Sequence, residues 1–220
     1  MNKKKLYWEN FYKKNSLDLE IPSQFSVFVA TELSNSIEKK NQLLIIDCGS
    51  GSGKDTFFFE RYGFTAIGVE QSKNAIKNSS EKIKKKTIQF ICGSILDQKI
   101  QKKILEICNK RKINKICIYA RFFIHVLTDK EKKLFFSLSK KILNNFKEGY
   151  LALEFRTGKD FKRKKITPRH FRKYFELSKI EKLCNSLNLK KMYSTQGAGM
   201  AKYKEDDAFV GRIFLKNILD

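Results

Sequence analysis

Long apolar runs are missing from this chain. No window approaches the ~18 apolar residues of a membrane-spanning helix, which argues against a helical membrane protein. The N-terminal stretch MNKKKLYWENFYKK carries charge but no apolar core, so it does not read as a secretory signal. Proline occurs only twice, and there is no long Pro/Gly/Ser linker and no internal repeat, so tethered modules and repeat arrays are not expected. Histidine also occurs only twice. The five cysteines (Cys48, Cys92, Cys108, Cys117 and Cys184) are scattered, with no CxxC and no Cys/His pair at ligand spacing. No metal site is expected from them. An odd number of separated thiols suits small buried hydrophobes in a reducing compartment, so a cytoplasmic location is the expectation. Arginine is scarce as well.

What is abundant is lysine. Of 46 basic residues, 38 are Lys and 8 are Arg, against 23 acids, for a net charge of +23. Such a balance invites an anionic partner, nucleic acid included. Surfaces that read bases and phosphates favour Arg more than this, and the excess of Lys, Ile, Asn and Phe matches AT-rich codons. Most of the lysines are therefore read as solvated. The Arg are more informative, because half of them fall at 156–172.

The 220 residues suffice for one domain with a substantial core. Apolar strand-like runs LLIID (43–47), TAIGVE (65–70), TIQFIC (87–92), KICIYA (115–120) and GYLALEF (149–155) alternate with helical patterns. A helix is expected over 6–14, another after Pro22 and Ser23, a polar one over 72–86, and one opening on the capping box Thr128/Glu131. KKMYSTQG and AFVGRIFLK close the chain as an antiparallel pair. The fold class is α/β: a three-layer sandwich on a mostly parallel seven-stranded sheet with a C-terminal antiparallel hairpin. The whole of 1–220 reads as one domain, with 1–40 a helical cap and 156–172 a basic insert. In such sheets ligands sit at the carboxyl ends of the strands, where strand order reverses.

The glycine turn DCGSGSGKDT (47–56) lies at that position. Fitted to a triphosphate-binding loop, it puts Cys48 where the first Gly belongs and Asp55 where a hydroxyl ligand of Mg²⁺ belongs, a carboxylate against phosphates. Fitted to G-x-G-x-x-G, the last position becomes Lys54 or Thr56. What remains is acid-x-Gly-x-Gly-x-Gly: Asp47, Gly49, Gly51, Gly53.

That pattern resembles motif I of the class I S-adenosylmethionine-dependent methyltransferases, of the small-molecule type. The resemblance runs from about Trp8 to Lys216. It implies that the glycines let the backbone approach an adenosine, that Asp47 sits near the cationic methionine end, and that an acid ending the next strand takes the ribose hydroxyls. Glu70 is that acid, 23 residues on (70 − 47), close to the ~20 of ribose-binding acids in nucleotide folds. The implied cofactor contacts are Asp47, Gly49, Ser50, Gly51, Gly53, Asp55, Glu70, Gln71 and Tyr119, with Ser94 and Ile95 at the adenine. Family members commonly place an acid after the third strand; here Ser94 stands in its place. The implied cofactor is S-adenosylmethionine, with S-adenosylhomocysteine as product and no metal.

On the acceptor side, YARFFIHVL follows the fourth strand. RFFxH resembles a subset of small-molecule methyltransferases rather than the Asn-Pro-Pro-Tyr-like motif of nucleic-acid amino methyltransferases. Tyr119, Arg121 and His125 are the catalytic candidates, His125 as base or hydrogen-bonder and Arg121 as holder of a carboxylate or phosphate. Arg121, His125, Arg156, Arg169, His170 and Arg172 are the expected substrate contacts. The expected acceptor is a small, anionic metabolite or sugar precursor. The alternatives are an RNA-directed methyltransferase using the basic surface, or a non-catalytic cofactor-binding protein.

Overall fold

A computed structural model describes residues 3–14, 21–165, 170–185, 187 and 189–217. Arg169 lies outside the described residues. Five parallel strands are formed by the apolar runs: β1 (Leu43–Cys48), β2 (Thr65–Glu70), β3 (Ile88–Cys92), β4 (Lys115–Arg121) and β5 (Glu148–Arg156). The last two strands of the seven-stranded sheet are β6 (Leu189–Gly197) and β7 (Val210–Asn217). The sheet order is β3-β2-β1-β4-β5-β7-β6. The final strand therefore runs between β5 and β6, antiparallel to both, and β6 forms the edge of the sheet. Order reverses between β1 and β4, which pair in parallel, and the crevice opens above their carboxyl ends.

Alternation along the strands explains the two cores. Leu44, Ile46, Ile116 and Ile118 face α5 (Gln98–Lys110), α6 (Asp129–Leu143) and α7 (Leu177–Asn185). Leu43, Ile45, Cys117 and Tyr119 face α2 (Gln24–Ser36) and α3 (Lys54–Arg61). Both faces are covered, which is why the strands read as continuous apolar runs. Four of the five cysteines are buried in these layers; Cys92 is exposed.

Helix starts follow local chemistry. Ser23 caps α2 by accepting from the Ser26 N–H, and Thr128 with Glu131 forms the reciprocal capping box of α6. The polar helix expected over 72–86 ends much earlier, as α4 (Lys73–Ser80). The Ser79 hydroxyl bonds back to Ala75 O at 2.9 Å, and the lysines that follow offer like-charge repulsion along the helix. α1 (Lys3–Lys14) stands outside the three layers and packs on α4. Among the described residues, no helix is long and apolar enough to cross a membrane.

Candidate functional site

The glycine turn joins β1 to α3. The Gly49 N–H donates to Val69 O (2.8 Å) and the Gly53 N–H to Ser50 O (2.9 Å), folding the turn back over the sheet end. Gly53 caps α3 with φ +81°, and a Cβ there would lie 2.5 Å from Phe90 Cζ. Gly51 has φ +54°, and a Cβ on it would run into the Tyr12 hydroxyl of α1. Glycine is required at both positions, for conformation and for room.

Two acids flank the turn. Asp47 is buried, and its Oδ2 accepts from Thr56 Oγ1 at 2.6 Å. Burial pushes its carboxyl up to about 7, and the neighbouring Asp55 adds to the rise. Glu70 accepts from the backbone N–H groups of Gln71 (2.7 Å) and Ser72 (2.9 Å) on one oxygen and of Gly51 (3.2 Å) on the other. Burial raises its pKa, against the pull of these three bonds. The carboxylate is thus fixed in orientation, and the oxygen facing Gly51 keeps acceptor capacity to spare.

These groups line a cavity of about 810 Å³, within the range of small-molecule sites, roughly 300–1,000 Å³. Asp47, Gly49, Ser50, Gly51, Asp55, Glu70, Gln71, Ser94 and Ile95 all line it. Ser50 Oγ has no hydrogen-bond partner among the described residues. A buried hydroxyl with nothing to bond, in a turn that leaves room for a ligand, fits an adenosine-bearing cofactor.

Two expected cofactor contacts occupy other positions. Gly53 is absent from the lining and serves the α3 cap. Tyr119 is fully buried and also absent from the lining. Strand alternation turns it to the α2/α3 face, where its ring meets Phe25 and Phe59 at 5.2 and 5.0 Å. Its hydroxyl donates to Asp55 at 2.8 Å. Asp55 reaches the cavity wall, but its oxygens accept from Ser23 N (2.8 Å), Ser23 Oγ (2.7 Å) and Ser26 Oγ (3.1 Å) as well. Burial opposes its ionisation, yet Arg121 and the Ser23 N–H hold its pKa below the usual carboxylate value. Asp55 is therefore a buried anion that ties α2, α3 and β4 together.

The cavity end where acceptor contacts are expected is built from the segment after β4 and from residues 170–172. Arg121 donates through Nε to Glu154 (2.9 Å), which is fully buried and also accepts from Arg212 Nε (2.8 Å). Its terminal nitrogens donate to no group among the described residues, and the side chain lines the cavity. His125 lines the cavity, is only 4 % exposed, and its Nδ1 has no partner among the described residues. Burial lowers its pKa well below 6.5, and Arg172, Arg156, His170 and Arg121 add to the fall. The imidazole is neutral at neutral pH.

Arg156, His170 and Arg172 also line the cavity. Arg156 is committed elsewhere: it donates to Asp160 (2.8 Å) and Asp206 (2.7 Å) in a buried triad. Within the described part of the 156–172 segment, Arg156 and Arg163 are accordingly less open to an anion than its composition suggests. Asp160 is fully buried, and Arg163 bonds to Asp207 O.

The helix expected over 6–14 forms as α1, and no motif marked it as part of the site. Tyr7, Trp8, Phe11 and Tyr12 line the cavity. Glu9 accepts from the Lys73 N–H (2.8 Å) and the Asn74 N–H (3.3 Å), docking α1 on the start of α4. Lys4 donates to Val126 O (2.8 Å) and Glu131 (3.2 Å) on the other side. α1 thus straps the crevice from α4 to α6. The aromatic density of LYWENFY was the available signal.

The fold these strands make is that of the class I S-adenosylmethionine-dependent methyltransferases, and residues 46–108, which hold both flanking acids, match the family model described as "Methyltransferase domain". The family-model match is confined to residues 46–108, and the likeness to solved methyltransferases is one of fold. It is similar to a SAM-dependent methyltransferase from Anabaena variabilis (16 % identity, 99 % of this chain and 96 % of that one, TM-score 0.66). It is also similar to the magnesium protoporphyrin IX methyltransferase of Synechocystis with bound SAH (9 %, 99 % and 96 %, 0.63), and to a SAM-dependent methyltransferase from Aquifex aeolicus (13 %, 96 % and 98 %, 0.59). No curated protein sequence matches the chain.

Proposed function

We propose that this protein transfers a methyl group from S-adenosylmethionine to a small acceptor bearing negative charge. The observation that carries the cofactor half is the pairing of Glu70, oriented by three backbone N–H groups, with the glycine turn and its unpartnered Ser50 hydroxyl on one cavity wall. Glu70 would take the ribose hydroxyls, Ser94 and Ile95 would flank the adenine, and Asp47 would face the cationic methionine end. When bound, the cofactor supplies a sulfonium methyl that an acceptor nucleophile displaces in line. The protein's part is chiefly alignment.

Arg121 is the group best placed to hold the acceptor's negative charge, because Glu154 fixes its Nε and leaves the fork of terminal nitrogens to the cavity. His125, held neutral, orients a protic acceptor atom through Nδ1. Tyr119 acts at one remove, by holding Asp55. We take the chain as a single domain in which α1 and α2 form the cap. The RNA-directed alternative draws on the net charge of +23, but the strap of α1 over the crevice favours an acceptor small enough to enter beneath it.

The test is calorimetric titration with S-adenosylhomocysteine on the wild type, Asp47→Ala and Glu70→Ala. Micromolar binding, lost in both variants, is expected. A folded wild type that binds none would overturn the proposal. Turnover in the presence of candidate acceptors then separates an enzyme from a non-catalytic cofactor binder.

A further inference from the structure

The acceptor end of the cavity is aromatic on two sides. On the strand side, Phe122 follows β4 with φ +52°, a conformation that is an outlier for a bulky side chain. Its N–H donates to Glu154 O at 2.9 Å, the same residue that fixes Arg121. The Arg121 and Arg156 guanidiniums lie 4.5 and 5.0 Å from the centroid of the Phe122 ring. Strained backbone held by a buried ion cluster, at the mouth of a site, is the pattern of a preorganised contact surface. On the α1 side, Tyr7 and Trp8 each have their ring centroid 5.0 Å from that of His170. These rings line the same cavity as Phe122 and Arg121.

We infer that the acceptor is a planar, conjugated acid: a flat ring system received between the Phe122 platform and the Tyr7/Trp8 wall, with its carboxylate or comparable anion on the terminal nitrogens of Arg121. An aliphatic anion would satisfy Arg121 alone. A flat π-system gains stacking and edge contacts on both sides, and the Arg121 guanidinium over Phe122 extends that surface with a cationic edge. His125 beside Phe122, with ring centroids 5.5 Å apart, offers its unpartnered Nδ1 to a ring hydroxyl or N–H. This inference rests on the methyltransferase proposal for the same cavity.

The experiment compares two acids of equal charge and carbon count, cinnamate and 3-cyclohexylpropanoate, titrated into protein saturated with S-adenosylhomocysteine. Calorimetry gives the affinities. Trp8, the single tryptophan of the chain, reports by fluorescence whether the acid sits against α1. Cinnamate is expected to bind about tenfold more tightly than its saturated counterpart and to perturb Trp8 emission. Phe122→Leu and Trp8→Leu should erase that preference, and Arg121→Lys should weaken both acids, with S-adenosylhomocysteine affinity kept in all three. Equal affinities, or no binding of either acid by a wild type that binds S-adenosylhomocysteine, overturns the planar-acid inference and leaves the methyltransferase proposal standing. A wild type that fails to bind S-adenosylhomocysteine removes the methyltransferase proposal, and this inference with it.

Discussion

Asp47 shows what the site costs the fold. Its carboxyl, pushed up to about 7 by burial and by Asp55, binds a proton in the folded chain that the unfolded chain has released. Stability from this group is therefore fully present below about pH 4 and is lost as pH rises through about 7. A rise from 3.8 to about 7 corresponds to an order of magnitude of ~4 kcal/mol. Asp47→Asn, which keeps an oxygen for Thr56, is expected to melt at higher temperature than the wild type at pH 8 and at nearly the same temperature at pH 4. Thermal scans of both proteins across that range check it. The same variant should bind S-adenosylmethionine more weakly. In the wild type a cationic ligand favours ionised Asp47, so affinity should climb as pH rises toward 7 and level off above it.

At the scale of elements, α1 is tied to both walls of the crevice. Its polar ties include Glu9 on the backbone of α4, Lys4 on Val126 and Glu131, and the Glu9 and Tyr12 carbonyls, which accept from Asn74 and Asn78. Loss of a capping acceptor at a helix start costs about 0.5–2 kcal/mol, small beside the core. Glu9→Ala is therefore expected to lower the melting temperature only slightly while loosening the strap. Stopped-flow release of S-adenosylhomocysteine, followed on Trp8, should be several-fold faster than in the wild type. An unchanged release rate would mean that α1 does not gate the crevice. The buried Arg121–Glu154–Arg212 cluster joins β4, β5 and β7, so the Arg121 guanidinium is anchored to the sheet.

Across the whole molecule, 46 basic residues meet 23 acids, and many lysines lie far from the crevice. Charge spread in this way attracts polyanions without specificity. Binding of a random-sequence RNA should fall steeply between 50 and 200 mM salt, on the order of a thousandfold if several phosphates are neutralised. Binding of S-adenosylhomocysteine, a ligand with no net charge walled in by α1, should change little. Filter binding and calorimetry at the two salt concentrations check both halves. RNA affinity that survives 200 mM salt would favour the RNA-directed alternative.

Local sequence determined a good deal. Strand identity follows from short apolar runs, because both faces of a parallel sheet are buried and neither can be polar. The alternation of strands with helices led to the sheet, the capping box marked the start of α6, and Asp47, two of the glycines and Glu70 line one cavity. Each of these is carried by neighbours in the chain. Tertiary structure alone decided the rest. Whether Tyr119 faces ligand or core depends on the parity of β4 against α2 and α3. Whether Arg156 is a free cation depends on Asp206, 50 residues away (206 − 156), which a reading of local charge cannot pair with it. Asp55 has the composition of a ligand contact and the partners of a structural anion. The aromatic strap of α1 becomes part of the site only when Glu9 finds the start of α4, 64 residues along the chain. Sequence spacing encodes the groups a strand-end turn brings together; which of the remaining charges and rings meet each other, and so which are left for a ligand, is fixed only when distant elements pack.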